Sequence, residues 1–258
     1  MKKLGFLSAF ILTIFIANAT VFANDNELPS VQLLLSLAVG HASNKDMTNY
    51  AEYLAEKDKS DLKLPPYSYA NVDESKKTKA NLPVGFDLDF RFFFGNIGAG
   101  FQIGYHLDKA ESELSAKDSS SSYLDVKSTS AVELWVVPYV GTLFYRVDLG
   151  SSNSFLLLGG GLGYYSGKLK VDQKLEGTTS SDYAYDDSYR QSKIGFHALV
   201  EYDYAFDFGL TLFAGVKGRY LKFNEFKDGS NVMRNVDGSK FKAGLTGVVF
   251  YFGTGFSF

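Results

Sequence analysis

The feature that most constrains this chain is a strict two-residue alternation in "LPVGFDLDFRFFFG", where Leu82, Val84, Phe86, Leu88, Phe90, Phe92 and Phe94 are all apolar and Gly85, Asp87, Asp89 and Arg91 fall between them. Successive side chains of a strand point to opposite faces, so this pattern specifies a strand with one apolar and one polar face. After Gly95-Asn96 it resumes in "IGAGFQIGYHLD": Ile97, Ala99, Phe101, Ile103, Tyr105 and Leu107 alternate with glycines, Gln102, His106 and Asp108. The two runs predict a hairpin.

Six further runs bring the total to eight, near 31–41, 83–94, 97–107, 131–147, 154–169, 193–206, 210–223 and 241–258. The gaps at 42–82, 108–130, 170–192 and 224–240 are long and polar, whereas Gly95-Asn96, 148–153 and 207–209 are short. The expected fold is all-β: an eight-stranded antiparallel up-and-down transmembrane barrel, with short periplasmic turns and long extracellular loops. The fourth run, "AVELWVVPYVGTLFYRV", is apolar on both faces. Turning Glu133 inward sets Val132, Leu134, Val136, Pro138, Val140 and Phe144 outward, with a ladder break expected at Pro138.

A soluble barrel buries its apolar face and a membrane barrel exposes it. Twenty-three Phe and 17 Tyr are too bulky to fill the narrow interior of eight strands, whereas Gly98, Gly100, Gly104, Gly159, Gly161 and Gly163 on the opposite face suit it. The apolar face therefore points to lipid. Tyr105, Tyr164 and Tyr220 lie eight to ten residues beyond a short turn. That is a climb of roughly 21 Å at ~3.3 Å per residue and ~45° tilt, which places them at the outer interface. Phe92, Phe94, Tyr204, Phe206, Phe256 and Phe258 are expected at the inner one.

The N-terminus, "MKKLGFLSAFILTIFIANATVFA", has Lys2 and Lys3, an apolar run and small residues before Ala23. It predicts a secretory signal peptide over 1–23, leaving 24–258 as the barrel domain. The formal charge of −3 makes no case for nucleic acid, and the absence of Cys excludes disulfides and thiolate chemistry.

The glycine–aromatic strands "GAGFQIGY", "GGGLGYY" and "AGVKGRY", the loop asymmetry and the ending "GVVFYFGTGFSF" resemble the superfamily of small outer-membrane barrels, including the opacity proteins and the outer membrane protein A, X and W types. Tyr251, Gly253, Phe256 and Phe258 resemble that family's assembly signal, with Tyr251 where the signal has a polar residue. The resemblance implies residence in the cell outer membrane, contact with outer-membrane lipid, recognition by the barrel-assembly machinery, and an extracellular ligand met through the loops.

On the lumen face stand Asp87, Asp89, Arg91, His106, His197, Glu201, Asp203, Lys217 and Arg219. Such charges must pair or meet water. His197 is expected opposite Arg219, with Glu201 diagonal to Lys217. They read either as an ion-pair plug or as the lining of a narrow porin-like channel. His41-Ala42-Ser43-Asn44 resembles the His-x-Ser-Asn element of an outer-membrane lipid A deacylase, but it ends the first strand and no Glu follows to orient the His. No catalytic, metal or cofactor site is assigned, and a structural or adhesin-like surface role is preferred to the channel and to the lipid-acting enzyme.

Overall fold

The computed structural model describes residues 30–42, 44–62, 77–80, 82–117, 125–150, 153–177 and 183–258. The predicted signal peptide lies outside these residues.

Eight long strands build the fold: β1 Ser30–Ala42, β2 Val84–Phe94, β3 Ile97–Lys117, β4 Asp125–Asp148, β5 Ser154–Gly177, β6 Tyr183–Ala205, β7 Leu210–Tyr220 and β8 Gly247–Ser257. Each pairs antiparallel with its sequence neighbours. β8 then pairs with β1 from Gln32↔Ser257 to Ala42↔Gly247, which closes the ring. Closure leaves no strand of the ring with a free edge, as a sheet in lipid requires. The seam reaches the last residue: Phe258 N donates to Val31 O at 2.8 Å and Val31 N to Phe258 O at 3.0 Å. At the β2–β3 turn Gly95 has φ 56°, a left-handed conformation suited to glycine in a two-residue hairpin loop.

β3 to β6 run well beyond the predicted ends, so much of 108–130 and 170–192 is extended hairpin. Their polarity inverts along the way. Near the periplasmic turns the apolar side chains face out, including Leu158, Leu162, Tyr164, Phe196 and Val200. Higher up, the outer wall carries ion pairs such as Lys109–Glu111 (2.9 Å), Lys109–Glu133 (3.4 Å), Lys170–Asp172 (2.7 Å) and Lys170–Asp186 (3.3 Å). There the inner wall is apolar, with Val132, Leu134, Leu169 and Val171 buried.

This inversion corrects the predicted facing of the fourth strand. Val132, Leu134, Val136, Pro138, Val140 and Phe144 all point inward and are buried, whereas Tyr139, Leu143 and Tyr145 face out. Glu133 lies on the outer wall, where it accepts from Trp135 Nε1 at 3.1 Å and meets Lys109. The ladder break at Pro138 is present on one side: β3–β4 pairing runs to Ile103↔Tyr139 and resumes at His106↔Val136, because proline has no N–H to donate.

A cap fills the upper barrel. Helix α1, Lys45–Leu62, lies within the gap 42–82. Its apolar residues Met47, Tyr50, Ala51, Leu54 and Ala55 recur at helical spacing on one face. Met47, Ala51 and Leu54 pack into a core with Val132, Leu134, Val136, Leu169 and Val171. The segment 221–246 adds Leu221, Phe223, Phe226, Met233, Phe241, Ala243 and Leu245 to the same core. Asn44 pins the two parts together, donating to Gly244 O and accepting from Gly244 N, both at 2.9 Å.

Candidate functional site: the lumen and its girdles

The side chains that β2 sends inward meet those of β6, four strands away around the ring and therefore across its diameter. Arg91 is fully buried and forks onto Glu201: Nη2 donates to Oε2 at 3.0 Å, and Nη1 to Oε1. Nη2 also donates to Asp89 Oδ2 at 3.2 Å, and Asp203 lies 3.9 Å from Nη1. The guanidinium carbon stacks over the Phe144 ring, 4.8 Å from its centroid. A bidentate pair of this kind fixes orientation as well as distance.

Above this bridge lies a second group. Asp87 Oδ1 accepts from His106 Nε2 at 2.9 Å. Its other oxygen lies 3.9 Å from Lys217 Nζ. Lys217 also donates to Gln102 Oε1 at 3.0 Å and sits 5.1 Å from the Tyr251 ring centre. Gly104 makes the crossing feasible, because a Cβ there would lie 2.0 Å from Asp87 Oδ1. His197 Nε2 pairs with Thr142 Oγ1 at 3.1 Å, and Arg219 lies opposite His197 in register.

Asp87, Asp89, Arg91, His197, Glu201, Asp203, Lys217 and Arg219 thus all sit buried on the lumen face. Glu201 stands opposite Gly215 and so diagonal to Lys217, as expected, while its ion pair is made across the barrel with Arg91. An apolar group of Phe93, Phe144, Leu157 and Leu199 also occupies the lumen face, and the cap core closes it above. Tyr165, Val140 and Val136 on the inner wall belong to that cap core, and sequence reasoning missed their role.

Of the ending residues, Tyr251 faces the lumen, while Phe256 and Phe258 face out. A Cβ at Gly253 would lie 2.0 Å from Leu35 O, so the close approach of β8 to β1 uses a glycine there. His41 is exposed, Asn44 is engaged with Gly244, and Ser43 lies outside the described residues.

The outer surface carries two aromatic levels. Phe86–Tyr105, Tyr105–Trp135, Tyr139–Tyr164 and Phe196–Tyr220 have centroids 5.9, 5.3, 6.5 and 5.0 Å apart. Near the short turns, Phe90–Phe92, Tyr204–Phe206 and Phe206–Phe208 lie 4.7, 4.9 and 5.4 Å apart. Between these levels Leu35, Leu37, Phe101, Leu143, Leu162, Phe250 and Phe252 are each more than half exposed. A closed ring with this outward belt has lipid as its solvent. The chain is an eight-stranded transmembrane β-barrel of the outer-membrane type.

No protein-family model and no curated protein matches the chain. Among solved structures it is similar to Ail, the attachment invasion locus protein of Yersinia pestis, in complex with the heparin analogue sucrose octasulfate (13% identity, 90% of this chain and 100% of that one, TM-score 0.35). It is likewise similar to Neisserial surface protein A (14%, 90% and 98%, TM-score 0.36) and to the outer membrane protein OprG from Pseudomonas aeruginosa (11%, 89% and 95%, TM-score 0.37).

Proposed function

We propose that the protein is an outer-membrane barrel closed to solutes, whose role is structural or adhesin-like: a rigid platform that presents the cap and the upper walls of β3 to β6 to partners outside the cell. The observation that carries this reading is the Arg91–Glu201 bridge spanning the lumen beneath an apolar core. Dissolved ions crossing such a barrel must displace a buried bidentate ion pair and then traverse hydrocarbon, two large barriers in series. The cap is held by side chains from α1, the barrel wall and 221–246 together, which suits a surface that keeps its shape when bound. Asn44, the last residue of the deacylase-like element, is committed to Gly244, which supports a non-enzymatic reading.

Planar-bilayer recording of the purified protein tests the closure. Silence at moderate voltage is expected, and a steady open conductance of the unmodified protein would overturn it. Binding of intact cells or matrix by the full chain, lost on replacing the cap with a short linker while heat-modifiable gel mobility persists, is the matching result for surface display.

A further inference from the structure

Above the outer aromatic level, the wall cations fall into two kinds. Lys109, Lys127, Lys170 and Lys174 each have a carboxylate within ion-pair distance. Lys168 and Arg190 have none among the described residues, yet they stand directly opposite each other on β5 and β6. Arg190 is in turn opposite Lys227, on the short strand Lys227–Asp228. Residues opposed in register share a face, so three cations line up across adjacent strands spaced ~4.8 Å apart. Like charges in this position destabilise a sheet unless an anion lies over them. Lys227 meets Glu225 at 3.7 Å, but Glu225 also serves Lys240 at 3.1 Å, so the patch keeps a positive excess.

The height of the row identifies the anion. Lys168 lies four residues beyond Tyr164 on the same strand, roughly 9 Å farther along the membrane normal. Its partner on the other side is Trp135, a residue type that settles at membrane–water interfaces. Lysine and arginine stems can reach back toward the headgroups from there. The geometry points to a binding site for the phosphate groups of a phosphorylated lipid of the outer leaflet, formed by Lys168, Arg190 and Lys227. This rests on the membrane placement described above and goes beyond surface display, since the ligand is a component of the protein's own membrane.

The test uses the mature protein folded in zwitterionic detergent, with native mass spectrometry against bisphosphorylated lipid A, its dephosphorylated form and inorganic phosphate. Tight one-to-one binding of the phosphorylated lipid is expected. In Lys168→Gln/Arg190→Gln it should weaken roughly thirtyfold, at the usual worth of two surface cations. Lys170→Gln, which removes a cation already paired, should leave it unchanged. Equal affinity for the dephosphorylated lipid, full binding by the double variant, or equal loss in Lys170→Gln overturns the site. Displacement by equimolar inorganic phosphate overturns the assignment to lipid. Heat-modifiable mobility of every variant reports on the barrel separately, so a failed site and a failed barrel are told apart.

Discussion

Arg91 concentrates the stability of the lumen at one side chain. It is fully buried and is the shared partner of Glu201, Asp89 and Asp203. Removing one member of a buried ion pair leaves the other charged and unsolvated, typically destabilising by about 3–5 kcal/mol. Arg91→Met strands three carboxylates together, so a loss at the upper end of that range is expected in denaturant titrations of the detergent-folded protein. Arg91→Met/Glu201→Met removes both ends of the bridge and should lose less than Arg91→Met alone. A double variant weaker than the single one would show that the bridge is not the dominant contact.

Among the strands, the seam of β8 with β1 makes the sharpest demand on the sequence. Phe258 closes the last pair of seam hydrogen bonds, and its side chain is 78% exposed on the lipid side. Deleting Phe258 is expected to impair membrane assembly far more than deleting residues 178–182, read as the fraction of heat-modifiable protein in isolated membranes. Normal insertion would refute this. The alternation of β2, β3, β7 and β8 was legible because lipid on one face and a packed lumen on the other impose a period of two. The facing of β4 was not, because its apolar residues move from the inner face at Val132–Val136 to the outer face at Tyr139–Tyr145. Parity is unchanged along that strand, while the surroundings exchange at the membrane boundary. Nor could pairing between sequence neighbours reveal Arg91–Glu201, which depends on β2 and β6 being four places apart in a closed ring. The 221–246 part of the cap was hidden by parity: Leu221 and Phe223, and then Phe241, Ala243 and Leu245, keep the alternation of the runs read as strands over 210–223 and 241–258, and only Phe226 and Met233 fall in the 224–240 gap.

The molecule joins two compartments of opposite polarity, a membrane segment with lipid outside and charges within, and an extracellular segment with charges outside and hydrocarbon within. One set of strands serves both, so the cap core rests on walls that the membrane segment holds rigid. Tyr189 and Tyr50 lie against that core, well above the lipid belt. Burial, followed by the 3.1 Å hydrogen bond to Asp187, pushes the Tyr189 phenol up to about 12. Burial raises Tyr50 as well, aided by Tyr53 and Asp187. A group whose folded pKa is raised contributes its full stabilisation below the unfolded value, about 10 for tyrosine, and loses it as pH climbs through the folded value. The cap should therefore resist protease up to about pH 10 and become cleavable within 45–62 and 221–246 between about 10 and 12, while the membrane strands stay protected. Tyr189→Phe keeps the ring but removes the titrating group, so its cap should open less steeply over the same window. Identical profiles for the variant and the unmodified protein would exclude Tyr189 as a source of the transition, and simultaneous cleavage of membrane strands would mean that the two compartments unfold as one.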